Sequence, residues 1–138
     1  MGLLGYDRLI KRLARKFDVV GRIDYLESGD LDSLVRHSRG LVTVNSTVGG
    51  VSLGLDCPTL ALSDPIYNLP GLTFQGTLDD FWQQGEAPNR ELFRRFRNAV
   101  IHATQVNGGF YCRRGIELAV RNSVAILEGE VSPLEALL

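Results

Sequence analysis

The sequence predicts an α/β fold in which helices cover a parallel sheet of three or four strands, followed by a helical C-terminal region. Between residues 20 and 62, short β-prone runs alternate with helical patterns three times, and the joints between them are short. After residue 88, two long stretches repeat apolar residues at helical spacing. With 138 residues, of which 44% are hydrophobic, the chain can bury the core of one domain.

The elements predicted before residue 63 alternate between helix and strand. In chain order they are an amphipathic helix over residues 6–17, a strand over 22–26, a helix over 31–37, a strand over 41–44, a glycine-rich helix and a strand over 59–62. Asp30 is the N-cap predicted for the second helix, and Gly40 lies just beyond its end. The basic face of the first helix is interpreted as a solvated surface, with an anionic membrane surface as the alternative partner.

The second half of the chain begins with a loop and ends in helices. The elements predicted there are a loop over residues 63–76 with a minor strand at 72–74, a short helix that carries Phe81 and Trp82, and helices over 89–106 and 116–127. Thr77 and Asp80 have the spacing of a capping box at the start of the short helix. Asn107, Gly108 and Gly109 separate the last two helices.

Residues 40–50 carry the strongest local signal for a site. The strand over 41–44 ends in Asn45, Ser46 and Thr47 and continues into a helix that contains Gly49, Gly50 and Gly54. Backbone N–H groups, hydroxyls and the positive end of a helix dipole at one point suit a phosphate or a carboxylate. The alternative is that Ser46 or Thr47 only caps the helix. The glycines favour a ligand, because each costs about 1 kcal/mol in a helix and close approach to a ligand or to the sheet would explain them.

A second polar pair follows the next predicted strand. Ser63 and Asp64 come directly after residues 59–62, and ligands of open parallel sheets gather outside the carboxyl ends of the strands. The competing interpretation of Asp64 is a turn formed with Pro65. His37 and His102 lie in predicted helices, where a surface role is the simpler interpretation.

Composition excludes several classes of function. A net charge of −1 and a pI of about 6.1 argue against a nucleic-acid partner. Cys57 and Cys112 are isolated, so neither a disulfide framework nor a metal site is predicted. No apolar run reaches the length of a membrane span, and no signal peptide is recognisable. A cytoplasmic protein is expected, with peripheral attachment to the inner membrane as an option.

Four sequence blocks in order resemble the capsule polysaccharide biosynthesis/export family, the KpsS/KpsC and LipB-like proteins of bacterial capsule assembly. The blocks are VNSTVG at 44–49, IYNLPGLT at 66–73, LDDFW at 78–82 and TQVNGGFY at 104–111. Each block is weak alone, but four in order over about residues 20–112 are specific.

The resemblance implies that the chain is the C-terminal, nucleotide-sugar-binding part of a glycosyltransferase of GT-B architecture, with a partial Rossmann-like sheet. Such enzymes transfer Kdo from CMP-Kdo to a lipid or glycolipid acceptor and need no other cofactor. By this analogy, the site residues are of two kinds. The nucleotide and phosphate would be held by Asn45, Ser46, Thr47 and Gly49, and the substrate would be contacted by Ser63, Asp64 and Tyr67.

Two departures from the family pattern bear on activity. The Lys-x-His-Pro motif and the acceptor-binding domain are expected upstream of the matched segment, so the chain alone is expected to be inactive and is interpreted as a truncated single domain. Val51 stands where the family commonly has Glu or Ser. Two alternatives follow: a non-catalytic remnant that acts as an interaction module, and a sialyltransferase-like nucleotide-sugar protein. Exposed sheet edges would also favour a homo-oligomer.

Overall fold

The structure, a computed structural model, describes residues 6–129, which combine helices with a small parallel sheet. The elements in chain order are α1 (Tyr6–Lys16), α2 (Leu31–His37), β1 (Leu41–Thr43), α3 (Val48–Gly54), β2 (Thr59–Ala61), α4 (Leu78–Gln84), α5 (Arg90–Thr104) and α6 (Arg113–Leu127). The mixed α/β character and the helical C-terminal region are therefore as predicted.

The chain divides into two compact units between Leu34 and Val35. The first unit contains α1, in which Ala14 is the buried residue and the basic side chains are exposed. The second unit contains the sheet and the helices from α3 onward, and all of the predicted site residues.

The sheet of the second unit consists of β1 and β2, which run parallel with Leu41 opposite Thr59 and Thr43 opposite Ala61. Backbone hydrogen bonds extend the pairing at both ends, from Leu41 N–H to the Pro58 oxygen at 2.8 Å and from Leu62 N–H to the Thr43 oxygen at 2.7 Å. With α3 between the strands, this is a βαβ unit. Because the strands are parallel and in register, their carboxyl ends lie at one edge.

The predicted strand over residues 22–26 is wrong, and the sheet has two strands in residues 6–129 rather than three or four. The segment lacks regular structure, and Gly21 before it has a φ of 81°, which turns the chain. Apolar residues alternate there as in a strand, but strand N–H and C=O groups need a neighbouring strand to pair with. Among the described residues, β1 and β2 pair only with each other, and residues 22–26 do not join them.

The predicted minor strand over residues 72–74 is reduced to a single bridge between Pro70 and Thr73. The segment still lies against the sheet, since Phe74 N–H donates to the Thr59 oxygen at 2.8 Å. A left-handed glycine, Gly71 with a φ of 85°, turns the chain within this loop and so prevents a longer extended run.

The core of the second unit lies between α3, β2, α5 and the loop after β2. Leu53, Tyr67 and Leu72 form its buried cluster, and the partly buried residues that pack against it are Ala61, Leu92, Phe93 and Phe96. Beneath α3, the buried hydroxyls of Ser52 and Thr59 lie 2.8 Å apart and fasten the helix to β2.

Helix boundaries follow the local capping signals. Thr77 Oγ1 accepts from Asp80 N–H at 3.2 Å, so the predicted capping box of α4 is confirmed, and Asn89 Oδ1 accepts from Leu92 N–H at the start of α5. Helix α6 begins at Arg113, three residues before the predicted start, because Cys112 Sγ accepts from Gly115 N–H. Within residues 6–129, no helix is both long and apolar enough to cross a bilayer.

Candidate functional site

The predicted polar residues follow the two strands at the same edge of the sheet. Ser46 and Thr47 come after β1, and Ser63 and Asp64 come after β2. Thr47, Ser63 and Asp64 are exposed, whereas Ser46 is half-buried. The parallel register thus gathers hydroxyls and one carboxylate at this strand-end site, which comprises Asn45–Gly49, Ser63, Asp64 and Tyr67.

Ser46 and Thr47 play different parts at the start of α3. Ser46 Oγ accepts from Val48 N–H at 3.3 Å, so Ser46 supplies part of the cap. Thr47 has helical backbone angles and makes no side-chain cap hydrogen bond. The N–H groups of Gly49 and Gly50 bond to the carbonyls of Ser46 and Thr47. The capping alternative therefore applies to Ser46, and the exposed Thr47 hydroxyl is not used by the helix.

Tyr67 holds the loop between β1 and α3 in place. Its side chain is 6% exposed, and its hydroxyl donates to the backbone oxygen of Ser46 at 2.6 Å. The same ring lies against Gly49 so closely that a methyl group on Gly49 would overlap it. Tyr67 is thus in direct contact with two other predicted site residues, Ser46 and Gly49. Its hydroxyl, however, already donates its proton to the protein backbone.

The three glycines of the α3 region have different reasons to be glycine. Gly49 needs to be small because of the Tyr67 ring. Around Gly50 an added methyl would meet no atom within 4 Å, and at Gly54 it would make an ordinary contact of 3.5 Å with Phe93. The expectation of close approach holds for Gly49 alone, and a side chain of the protein accounts for it.

A hydrogen-bond network that sequence reasoning missed supports the second half of the site. Asn68 Nδ2 lies 3.4 Å from both Asp64 Oδ1 and the Ser63 carbonyl oxygen. Asn68 Oδ1 accepts from the buried Thr73 hydroxyl at 2.7 Å, and Gln75 Nε2 donates to Thr73 Oγ1 at 2.9 Å. The signal that pointed here was the IYNLPGLT block, because it contains both Asn68 and Thr73.

The other residues considered from the sequence are Asn45, Val51 and the two histidines. Asn45 is exposed in the loop after β1, at the strand-end site. Val51 is half-buried on α3. His37 ends α2 and His102 lies in the last turn of α5, so neither histidine follows a strand.

Comparison with known proteins places this arrangement in a family. The family described as "Capsule polysaccharide biosynthesis protein" matches residues 1–111, which include all four sequence blocks and end with the last of them. The chain belongs to this family. The resemblance seen in the sequence is therefore confirmed.

Individual relatives agree with the family match. The chain is 38% identical over 106 residues to the capsule polysaccharide export protein KpsS of Escherichia coli, covering 77% of this chain and 27% of that protein. It is 38% identical over 111 residues to the capsule polysaccharide modification protein LipB of Neisseria meningitidis serogroups A and B, covering 80% of this chain and 26% of each protein. The chain thus spans about a quarter of the length of these relatives. No solved structure matches it significantly.

Proposed function

We propose that this chain is the CMP-Kdo-binding portion of a capsule β-Kdo transferase of GT-B architecture, and that the strand-end site holds the nucleotide. The observation that carries the proposal is the family match over residues 1–111, which contains that entire site. The β1–α3–β2 unit supports it, since Rossmann-like sheets are built from such units. A cytoplasmic location, where sugar nucleotides are available, is part of the proposal.

The side chains after β1 are suited to the phosphate of CMP. The Thr47 hydroxyl is exposed and makes no cap bond, and the Ser46 hydroxyl lies one residue before it at the N-terminus of α3. Asn45 adds an exposed amide. Donors held in place before the reaction stabilise the negative charge that develops on a leaving nucleotide as the glycosidic bond breaks. These residues would therefore both bind the donor and assist departure of CMP.

The side chains after β2 are suited to hydroxyl groups of the ribose or of the transferred sugar. Asp64 is an acceptor, and Asn68 holds its carboxylate through a contact of 3.4 Å. Ser63 is exposed beside it. Tyr67 takes the role of a positioning residue, because its hydroxyl already bonds to the Ser46 carbonyl. The lipid or glycolipid acceptor and any membrane contact are assigned to parts of the protein outside this unit.

Titration of CMP into the purified chain, followed by calorimetry, tests the proposal. Each hydrogen bond to the phosphate is worth about 1.5–3 kcal/mol, so Ser46→Ala with Thr47→Ala should weaken binding at least about a hundredfold. Thr104→Ala is the matched control, because it removes an exposed hydroxyl at the far end of α5. An unchanged affinity in the double variant would refute the assignment of these hydroxyls.

A second candidate function is an interaction module without catalysis. The observation that favours it is the exposure of aromatic side chains on the second unit, with Trp82 at 66%, Phe110 at 84% and Tyr111 fully exposed. Absence of CMP binding by a folded chain would favour this candidate. If CMP binds, comparison of CMP-Kdo with CMP-sialic acid in the full-length enzyme distinguishes a Kdo transferase from a sialyltransferase-like protein.

A further inference from the structure

A groove of about 590 Å³ lies in the second unit, between the loop that follows the IYNLP turn and the C-terminal end of α4. It is separate from the strand-end site, because it has none of Asn45–Gly49, Ser63, Asp64 or Tyr67 in its lining. The polar and aromatic side chains of its walls are Thr73, Phe74 and Gln75 on one side and Gln83, Gln84 and Glu86 on the other.

The walls are held by contacts that do not depend on a ligand. Phe74 is tied to the sheet through its N–H bond to Thr59, and its ring packs on Phe81 with the centroids 5.6 Å apart. Asn89 N–H donates to the Gly71 oxygen at 2.8 Å, which joins the two walls at one end. The groove is therefore a fixed feature of the packing between α4 and the loop.

The side chains of the groove define the ligand by its chemistry. Gln83 and Gln84 provide amides that can both donate and accept, Gln75 provides its amide oxygen because its Nε2 bonds to Asn68 and Thr73, and Glu86 provides a carboxylate. None of the lining residues within 6–129 is Lys, Arg or His, so a phosphate or another anion would meet a negative charge there without a counter-charge. Many hydroxyl groups, each both donor and acceptor, match amides and a carboxylate, and the volume lies within the range of small-molecule sites.

Gln75 connects this groove to the strand-end site. Its amide donates to the Thr73 hydroxyl at 2.9 Å and lies 3.3 Å from Asn68 Oδ1. Asn68 in turn contacts Asp64. The amide of Gln75 is thus oriented by the same network that supports Asp64, which gives the groove at least one preorganised polar side chain.

We propose that this groove is a second binding site, which takes an uncharged saccharide. The site would hold hydroxyl-rich sugar residues against Gln75, Gln83, Gln84 and Glu86, beside the strand-end site and independently of CMP. The proposal does not require the proposed transferase function, because the groove is complete without the nucleotide residues.

Trp82 provides the measurement. It is the only tryptophan of the chain, it is adjacent to Gln83 on α4, and its ring lies 5.6 Å from that of Phe81. Fluorescence of the full chain is titrated with maltotetraose and with N,N′-diacetylchitobiose as neutral probes, and with trigalacturonic acid and inorganic phosphate as anionic probes. The proposal expects saturable binding of a neutral probe in the millimolar range and weaker or no response to both anions.

Groove variants locate the binding. Gln84→Ala and Glu86→Ala each remove one exposed polar side chain that lines this groove and not the neighbouring groove beside Trp82, and each should weaken binding by about threefold to tenfold, as expected for one or two hydrogen bonds. Gln105→Ala is the matched control, since it removes an exposed amide at the end of α5. Nuclear magnetic resonance of labelled glutamine side chains provides a second readout that does not depend on Trp82.

Each outcome decides the proposal. The proposal is supported if a neutral probe binds, both groove variants weaken that binding and the Gln105→Ala control leaves it unchanged. Three results overturn it: no response to either neutral probe by both readouts, equal or tighter binding of the anionic probes, or neutral binding that the groove variants leave unchanged while the thermal midpoints remain the same.

Discussion

Replacing Tyr67 by Phe isolates the hydrogen bond that holds the loop after β1. The ring of Tyr67 stays in the core with Leu53 and Leu72, so packing is retained. Only the donor to the Ser46 carbonyl is lost, a bond of 2.6 Å formed by a side chain that is 6% exposed. The substitution therefore separates loop position from core stability more cleanly than a truncation would.

The magnitude follows from the hydrogen-bond partners of the Ser46 carbonyl. The carbonyl keeps its bond from Gly49 N–H, so the free energy of unfolding should fall by the net value of one hydrogen bond, about 0.5–1.5 kcal/mol. For a chain of this size, the thermal midpoint should fall by roughly 2–6 °C. Because the Ser46 carbonyl loses its bond to the Tyr67 hydroxyl, the hydroxyls of Ser46 and Thr47 are held less firmly, and CMP affinity should fall further than stability alone explains.

Urea denaturation and CMP calorimetry on the same samples check both expectations. Tyr111→Phe is the matched control, because Tyr111 is fully exposed and loses the same atom. If Tyr67→Phe and Tyr111→Phe have the same stability and the same CMP affinity, then the bond to Ser46 does not hold the loop. Tyr67 would then not be a positioning residue.

Three further predictions concern other parts of the chain. Gly49→Ala should destabilise by about 1–3 kcal/mol because its methyl overlaps Tyr67, whereas Gly50→Ala, which meets nothing, should be neutral or stabilising; urea denaturation compares them. Hydrogen bonds from Arg94 and Arg95 lower the pKa of Glu91 to about 2 from 4.5. The contribution of Glu91 to the free energy of unfolding is present above pH 4.5 and is lost as pH falls toward 2. Carboxyl titration by nuclear magnetic resonance tests this, and an ordinary pKa for Glu91 would contradict the geometry. With only β1 and β2 paired in the described sheet, light scattering should show association, and a monodisperse 15.2 kDa species would contradict this.

Helices could be predicted from the sequence because their signals are local. Helix α2 occupies residues 31–37 as predicted, and Asp30 Oδ1 accepts from Ser33 N–H at 3.3 Å. The apolar helical spacing after residue 88 also agrees with the packing of α5, because Leu92, Phe93 and Phe96 lie against the core. Caps and periodicity depend on residues within one or two turns, all of which are visible in a single stretch of sequence.

The strands were less predictable because pairing is not local. Residues 41–44 and 59–62 are both β-prone in composition. They pair with each other and so form β1 and β2. Residues 22–26 have a similar alternation but no partner in the described sheet, and they stay irregular. Composition shows which segments can be strands, whereas a neighbour decides which of them become strands.

The candidate site, too, could be predicted from the sequence only in part. The parallel sheet places Thr47 and Asp64 after the strands at one edge, as the strand-end rule leads one to expect. The contact of Tyr67 with Gly49 and the network from Asn68 to Gln75 depend on how the loop after β2 folds back on α3. No local sequence pattern predicts that this loop folds back on α3.

The most direct test of the central claim is a map of where CMP binds. Backbone amide shifts of the labelled chain are recorded by nuclear magnetic resonance during a CMP titration. If the strand-end site holds the nucleotide, saturable shifts are expected at residues 45–49 and 63–67, and the Ser46→Ala, Thr47→Ala double variant should lose them. Absence of saturable shifts in the folded chain, or shifts concentrated in the groove at residues 71–75 and 83–88 instead, would contradict the claim that the strand-end site holds the nucleotide.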